Sequence, residues 1–291
     1  MKTLLYIKRL LLSFVKSFSS FFNVLIYSKK VKLYDLNNQP NCIIIGNGPS
    51  LKNTIQANAD FFTGKSLIAV NHFAISEYYE QLKPEFYLAI AHDLYYDDVD
   101  NEFLEASNRL FKTMAEKTAW EMTLFMPFES KKYIRWQKHL NNNKNIQIKY
   151  INLTPAEGFN CLTHWLFKKN LAMPRPHNVM IPSLMIGINM NFKTIYLVGA
   201  EHSWLKDITV NENNEALINN RHFYDTESKP KSFDKKGKGA RNLPEILFTL
   251  MTAFNSYHII NKYAEKRDVK ILNCTEGSYI DAFERKKLNN E

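Results

Sequence analysis

The chain has 291 residues, an apolar fraction of 45% and a formal net charge of +9 at neutral pH, enough for one large α/β domain or two small ones. The positive charge suits nucleic acid, anionic lipid or a phosphorylated sugar as a partner. No Arg/Gly-rich segment, zinc-finger spacing or RNA-binding aromatic motif supports nucleic acid. The three cysteines, Cys42, Cys161 and Cys274, lie far apart; this fits reduced thiols in the cytoplasm and argues against a disulfide framework or a metal site.

The first thirty residues mix Leu, Phe, Val and Ile with six basic side chains. A secretory signal would keep its charges at the start. Here they interrupt the apolar run, and the longest charge-free piece, Ser17 to Ser28, is too short to span a bilayer. The pattern predicts a basic amphipathic helix within residues 1–35 that lies in the membrane interface, attracted by anionic lipids. A helix packed on the core or on a partner is the alternative.

Residues 43–52 have the sequence IIIGNGPSLK, a β-branched run followed by an abrupt break. Ile43–Ile45 is typical of a buried parallel strand, and Pro49 and Ser50 favour a helix that begins at Leu51. The two glycines let the backbone turn tightly and approach a ligand closely. This combination predicts an anion site, because free N–H groups and the helix dipole face the ligand. An ordinary β–α turn is the alternative, and the segment is neither a Walker A loop nor a dinucleotide fingerprint.

Two further buried strands follow at regular spacing and end in polar residues. Residues 66–70 lead to Asn71-His72, and residues 86–91 lead to His92-Asp93. Alternation of such strands with helices predicts an α/β fold with a Rossmann-like, doubly wound and mostly parallel sheet. Ligands of these sheets bind beyond the carboxyl ends of the strands, so we expect the polar strand ends to meet in one site.

The rest of the chain continues this pattern. The expected helices cover 51–60, 74–82, 101–119, 129–144, 179–190 and 242–267, and the expected strands cover 42–46, 124–126, 147–152, 193–199 and 269–274. Asn242 and Glu245 form a capping-box pattern at the start of the last helix. The polar stretch at about 203–241 is too long for an ordinary connection and predicts a lid. One domain, residues 40–291, is therefore expected after the N-terminal segment.

Histidine and carboxylate side chains near the strand ends are candidates for chemistry. His202 directly follows a strand, and His222 lies in the polar loop. An imidazole in such a position can take a proton from a hydroxyl at neutral pH. Glu201 can orient an imidazole or act as a base itself, and His92-Asp93 is a further pair. A surface or structural role is the alternative for each.

Together, these motifs resemble those of the bacterial sialyltransferases of glycosyltransferase family 42. The GNGPSLK turn is similar to that family's donor-nucleotide loop, and Val70-Asn71-His72-Phe73 is similar to its Cys-Asn-Gln-Phe segment. Ser183 at a helix entry and the strand at 193–199 resemble its Ser-Gly helix and its Lys-Glu-Ile-Tyr-Leu-Ser-Gly strand. The segment from Cys274 to Phe283 aligns loosely. The resemblance runs in order through residues 42–285, with strong identity only in these motifs.

The resemblance implies transfer of sialic acid, or another nonulosonic acid, from a CMP donor, with inversion and without a metal. Donor contacts are then expected from residues in the matching motifs: Gly46, Asn47, Gly48, Ser50, Asn71 and Ser183. In that family a lid His is the general base and two lid tyrosines bind the leaving phosphate. The family's base just precedes the long helix, where this chain has no His. His222 first, His202 second, and Tyr224 as phosphate ligand are therefore expected to take these roles.

A second resemblance leads to a different expectation. The Gly-x-Gly-Pro-Ser-Leu turn, Pro84-Glu85 with Asp93, and the Asn-x-Thr-x-x-Ser segment at 273–278 are shared with a broad family that includes archaeal 6-hydroxymethylpterin diphosphokinase and flagellin-modifying proteins. This resemblance implies that Asp93 and Glu201 bind magnesium and a nucleotide diphosphate. Asp98-Val99-Asp100 also matches a metal-binding DxD pattern, but it opens a predicted helix, whose dipole favours carboxylates without a metal.

The sequence thus predicts a glycosyltransferase of cell-surface glycan synthesis, such as lipopolysaccharide or capsule, with no cofactor and no metal besides its CMP-sugar donor. We expect a cytoplasmic protein, peripheral on the inner face of the cell membrane and in contact with an anionic membrane surface. Its partners are the nucleotide-sugar donor and a cell-surface or lipid-linked glycan acceptor, not nucleic acid, and a homo-oligomer also fits the sequence. A magnesium-dependent diphosphokinase-like enzyme and a non-catalytic nucleotide-binding protein are the alternatives.

Overall fold

The computed structural model describes residues 2–34, 40–218, 223, 231–232 and 240–288, and a parallel β-sheet forms its centre. The strands, numbered along the chain, are β1 (Asn41–Ile45), β2 (Ser66–Val70), β3 (Phe86–Leu88), β4 (Met122–Pro127), β5 (Ile146–Ile151), β6 (Thr194–Val198), β7 (Ile208–Val210), β8 (Ala216–Ile218), β9 (Lys231–Ser232), β10 (Lys270–Asn273) and β11 (Glu284–Arg285). Eight of them form one sheet in the order β11-β10-β6-β1-β2-β3-β4-β5, and every pairing in it is parallel.

Helices cover both faces of this sheet. They are α1 (Lys2–Tyr27), α2 (Leu51–Ala57), α3 (Tyr78–Leu82), α4 (Asn101–Lys117), α5 (Arg135–Leu140), α6 (Asn160–Lys168), α7 (Met180–Asn189) and α8 (Leu243–Lys266). Because successive side chains of a strand point to opposite faces, Ile44 joins one core with α7 and α8, whereas Ile43 and Ile45 join the other with α2 and α4. The predicted doubly wound α/β fold is confirmed.

Short sequence motifs predict the starts of two helices correctly. α2 begins at Leu51, as the turn predicts. α8 begins after Asn242, whose side chain accepts the Glu245 N–H while the Glu245 carboxylate accepts the Asn242 N–H, both at 3.0 Å. These two bonds complete a capping box, which satisfies backbone donors at the helix start.

Other elements differ from the prediction. The expected helix at 129–144 is split into a 3-10 turn, Phe128–Lys132, and the short α5, because the backbone is extended at Tyr133, with φ −106° and ψ 122°. The expected helix at 74–82 is likewise reduced to α3. The predicted lid contains β7, β8 and β9, which pair antiparallel in a separate sheet. These strands and the two-residue β11 are too short to leave an alternating sequence pattern.

The N-terminal helix α1 contacts the domain along a narrow stripe. Ser17, Ser20 and Val24 are buried, Ser20 exchanges two hydrogen bonds with the backbone of Glu157, and the Ser17 hydroxyl accepts the Phe159 N–H at 2.8 Å. Apolar side chains elsewhere on α1 are exposed: Leu4, Leu5, Tyr6, Ile7, Leu10, Leu11, Leu12, Phe14, Val15, Phe18, Phe21, Phe22, Leu25, Ile26 and Tyr27. The helix is continuous through its basic residues, so by length and composition it is also able to cross a membrane, unlike the charge-free piece alone.

The close approach of α1 depends on Gly158, which has a φ of +119° and where a Cβ would lie 2.2 Å from Ser17 Oγ and 2.6 Å from Ser17 N. We expect Gly158→Ala to lower the free energy of unfolding by about 2 kcal/mol and to increase amide exchange in α1. Gly64→Ala is the matched control, because Gly64 has a φ of +70° but open space around it. Equal losses in the two variants, with unchanged exchange in α1, would contradict this account.

Candidate active site

A cleft with a volume of about 2190 Å³ lies along the carboxyl ends of the parallel strands. The chain runs outward from β1 to β5 and then returns to the other side of β1 with β6, so the strand order reverses between β1 and β6. Such a switch point is where open α/β sheets bind ligands. The turn after β1 and the loop after β6 meet there: Gly46, Asn47 and Gly48 line the cleft together with Glu201 and His202.

Three of the four backbone N–H groups of the GNGPS turn have partners within the protein. The bonds are Gly46 N–H to the Val198 carbonyl (2.8 Å), Gly48 N–H to the Gly199 carbonyl (2.8 Å) and Ser50 N–H to Glu201 Oε1 (2.6 Å). The sequence predicts an anion at this helix start, and in the structure the Glu201 carboxylate lies there. A ligand phosphate at the same position would face a negative charge instead of free donors.

The position of Glu201 depends on the missing side chain at Gly48. A Cβ at Gly48 would lie 1.5 Å from Glu201 Oε2, so the carboxylate fills the space that a side chain would occupy. Glu201 is 8% exposed, and its Oε2 has no hydrogen-bond partner among the residues that the structure describes. The Glu201 carboxylate accepts its hydrogen bond from Ser50 and not from His202. The position of Glu201 therefore does not depend on the expected pairing with an imidazole.

The two asparagines expected to contact a donor lie at the ends of adjacent strands and line the cleft. Asn47 Nδ2 donates to the Val70 carbonyl at 3.0 Å, and Asn47 Oδ1 is buried with no partner within the described ranges. Asn71 has a φ of +46°, its backbone carbonyl accepts the Tyr87 hydroxyl at 2.5 Å, and its side-chain Oδ1 accepts the Ile90 N–H at 3.4 Å. Each amide is therefore fixed by the sheet edge before any ligand binds.

Two other expected donor contacts lie off the cleft. Ser50 is half-buried at the start of α2 and is not among the cleft-lining residues. Ser183 is fully buried inside α7, where its hydroxyl donates to the Val179 carbonyl at 2.8 Å. This placement gives neither side chain a direct contact with the cleft. His222 and Tyr224, the first candidate base and the candidate phosphate ligand, lie outside the described residues.

His202 is the candidate base that the structure places in the cleft. Its ring stacks on Trp204 with centroids 4.1 Å apart, and its Nδ1 lies 3.0 Å from the Tyr257 hydroxyl oxygen. Burial lowers the pKa of His202 to about 3, so the imidazole is neutral at pH 7. Burial also raises the pKa of Tyr257 far above its usual range, so that phenol stays protonated.

Sequence reasoning did not single out Tyr257 or its second partner, Asn178. The Tyr257 hydroxyl donates to Asn178 Oδ1 at 2.9 Å, which links α8 to the segment before α7 and to the loop after β6. The three residues are far apart in the chain and share no local motif. An aromatic residue inside an apolar helix gives no sequence signal that its hydroxyl reaches a histidine.

The loop that carries His202 is held by the terminal Asn-x-Thr-x-x-Ser segment. Thr275 Oγ1 accepts the Ala200 N–H at 3.1 Å, and the Ser278 hydroxyl donates to the Ala200 carbonyl at 2.8 Å. Asn273 Nδ2 in turn donates to Ser278 Oγ at 3.0 Å. This buried network has every one of its members bonded to another, which makes it rigid. It accounts for the stability of His202 at a φ of +48°.

Carboxylates that the second resemblance relates to magnesium are present in the cleft but are not clustered. Asp93, Asp98, Asp100 and Glu201 all line it. Within the part of the chain that the structure describes, no group of three or more His, Cys, Asp and Glu side chains is close enough to hold a metal ion. Among these residues, the Asp93–Glu201 pair and the DxD pattern therefore do not belong to a group of three or more such side chains.

We expect Gly48→Ala to displace the Glu201 carboxylate and to lower the free energy of unfolding by about 3 kcal/mol, because the Ser50 N–H loses its partner. In a Glu201→Ala background, the loss of unfolding free energy caused by Gly48→Ala should be smaller by at least about 1 kcal/mol than in the wild type, because the two sites are in contact. Chemical denaturation of the two single variants and the double variant measures this coupling. Additive losses would show that the carboxylate does not depend on Gly48.

No family model and no curated protein sequence matches the chain, so the resemblance to glycosyltransferase family 42 stays a prediction. One similar solved structure is the MAf glycosyltransferase from Magnetospirillum magneticum AMB-1, with a TM-score of 0.49 and 11% identity over 93% of this chain. The chain spans only 38% of the length of that protein. Similarity at this level assigns neither an activity nor a ligand.

Proposed function

We propose that the protein is a glycosyltransferase that moves a sugar from a nucleotide donor to a hydroxyl group of a glycan acceptor. The observation that carries the proposal is the neutral imidazole of His202, which shares the switch-point cleft with the amides of Asn47 and Asn71. Amides provide the donors and acceptors that a nucleoside requires, and an imidazole can take the proton of an attacking hydroxyl. From the sequence resemblance, we propose a CMP-activated nonulosonic acid such as sialic acid as the donor.

The proposed reaction is a single displacement. The acceptor oxygen attacks the anomeric carbon while the bond from that carbon to the donor phosphate oxygen breaks, which inverts the configuration. His202 takes the hydroxyl proton, and the nucleotide leaves with the bonding electrons. A bound phosphate nearby would raise the basicity of His202, because an opposite charge stabilises the imidazolium. General-base catalysis of this kind contributes about 10²–10⁴-fold, and positioning contributes further.

Positive side chains of the cleft are suited to the donor phosphate. They are Lys29, Lys131, Lys132, Arg175, Lys206 and Arg241. Because the N–H groups of Gly46, Gly48 and Ser50 are already bonded and the Glu201 carboxylate lies beside them, we propose that these side chains, rather than the backbone of the turn, bind the phosphate. The turn would then contact the sugar or nucleoside part of the donor through Asn47.

We also propose that α1 holds the protein on the cytoplasmic face of an anionic membrane and that the acceptor is lipid-linked. The chain has no acidic residue before Asp35, and the apolar side chains of α1 are exposed. Both features favour association with anionic lipid. Ile26 and Tyr27 at the end of α1, and Lys29 two residues after it, line the same cleft as His202. This continuity supports an acceptor whose lipid part lies in the membrane beside α1 while its glycan enters the cleft.

A magnesium-dependent diphosphokinase-like activity is the second candidate. The observation that favours it is the presence of Asp93 and Glu201 in one cleft with several cationic side chains. It differs from the first candidate in requiring a divalent ion and ATP. A non-catalytic nucleotide-binding protein would bind nucleotide without turning over any donor.

The full chain, in detergent or on vesicles, should transfer sugar from a CMP-activated nonulosonic acid in the presence of EDTA. We expect His202→Gln to lower kcat by about 10²–10⁴-fold while the KM for the donor changes little. His258→Gln is the matched control, because His258 is exposed on α8 and pairs with Asp281. Full activity of His202→Gln would exclude His202 as the base. ATP-dependent diphosphate transfer that EDTA abolishes would instead establish the diphosphokinase.

The membrane proposal is tested with vesicles of phosphatidylglycerol and phosphatidylcholine. We expect Lys8→Gln combined with Arg9→Gln to weaken binding to the anionic vesicles by about 2 kcal/mol, or about 30-fold, at about 1 kcal/mol per charge. Lys112→Gln with Lys117→Gln on α4 is the charge-matched control, since both lysines pair with glutamates away from α1. Protein that resists high salt and is released only by detergent, with no effect of the charge substitutions, would show a spanning helix instead of an interfacial one.

A further inference from the structure

The contacts around His202 determine which of its ring nitrogens carries the proton. The chain of atoms begins at the amide of Asn178, whose Oδ1 lies 3.0 Å from the Met180 backbone nitrogen. A backbone N–H can only donate, so the atom that meets it must be the amide oxygen. The reverse orientation of the amide would bring two donors together. The orientation of Asn178 therefore follows from the geometry.

The next atom in the chain is the Tyr257 hydroxyl, 2.9 Å from the same Asn178 Oδ1. An amide oxygen accepts but cannot donate, so Tyr257 must give its single proton to Asn178. The Tyr257 oxygen can then act only as an acceptor toward His202 Nδ1, which lies 3.0 Å away. His202 Nδ1 must therefore be protonated.

We propose that Asn178 and Tyr257 are positioning residues that hold neutral His202 in its Nδ1–H tautomer, so that Nε2 presents a lone pair to a hydroxyl group of the substrate. Stacking on Trp204 restrains the plane of the ring. His202 and Asn178 both line the cleft, whereas Tyr257, which is hydrogen-bonded to both, is fully buried and does not line it. The use of the lone pair rests on the proposed transferase function, but the tautomer itself does not.

The tautomer is measured directly by NMR of the full-length protein with ¹⁵N-labelled histidine, from two-bond couplings of the ring nitrogens to the ring protons. In the wild type we expect Nδ1 to be protonated and Nε2 to be unprotonated at pH 7. An Nε2–H tautomer in the wild type would overturn the proposal.

We call the hydrogen-bond chain from Asn178 through Tyr257 to His202 the relay. Three variants of it are expected to differ in the tautomer of His202. Tyr257→Phe removes the acceptor of Nδ1–H, and Asn178→Ala frees the Tyr257 hydroxyl to donate to Nδ1. Both should shift the ring toward the Nε2–H tautomer. Asn178→Asp should keep the wild-type tautomer, because its carboxylate still accepts from Met180 and Tyr257, and the Nδ2 that is lost has no partner among the described residues.

Tyr263→Phe is the matched control for loss of a buried hydroxyl on α8. The Tyr263 hydroxyl donates to Asn189 Oδ1 at 2.7 Å and does not contact His202. This variant should leave the tautomer unchanged. Thermal denaturation verifies that each variant is folded, and a folded Tyr257→Phe or Asn178→Ala protein that retains the wild-type tautomer would overturn the relay.

Kinetics separate the relay from the proposed function. If the protein is a transferase, Tyr257→Phe and Asn178→Ala should lower kcat by about 10²-fold with little change in the KM for the donor, and Asn178→Asp should restore most of the activity. An unchanged kcat in variants with an altered tautomer would overturn the positioning role. A wild-type protein with the Nδ1–H tautomer but without any transfer would contradict the proposed function and leave the relay intact.

Discussion

The organisation of the cleft depends on how closely β1 and β6 approach each other at their carboxyl ends. A Cβ at Gly46 would lie 2.3 Å from the Gly199 carbonyl oxygen, and a Cβ at Gly199 would lie 2.6 Å from the Gly46 carbonyl oxygen. Only a pair without side chains allows the two backbones to meet there, and Gly199 also has a φ of +63°. This contact aligns the turn after β1 with the loop after β6, and so determines where Glu201 and His202 lie.

The loop after β6 is fixed from three directions. Glu201 bonds the start of α2, the segment at 273–278 bonds Ala200, and Tyr257 of α8 bonds His202. Each contact comes from a different part of the sequence, and each satisfies polar groups that burial would otherwise leave unpaired. The left-handed backbone at His202 costs free energy, which these surrounding contacts offset. A site of this kind is rigid before a ligand binds, which reduces the entropy lost on binding.

Sequence reasoning succeeded where a local pattern determines the structure. The β-branched run before Gly46 and the capping box at Asn242 each depend on adjacent residues, so the strand and the helix start were predictable. The same holds for the doubly wound sheet, which follows from the spacing of buried strands. The relay from Asn178 to His202 was not predictable, since it joins residues that only the folded chain brings together. Glu201 was recognised as a reactive group, but its bond to Ser50 depends on the space that Gly48 leaves.

The carboxylate at the start of α2 also constrains how a nucleotide donor can lie in the cleft. A phosphate beside Glu201 would meet a like charge in a poorly solvated environment, which is unfavourable. A neutral hydroxyl or amino group at the same place would not meet this repulsion. Under the proposed function, the phosphate of the donor therefore lies near the cationic side chains that line the cleft, and its hydroxyl-bearing part lies near the turn after β1.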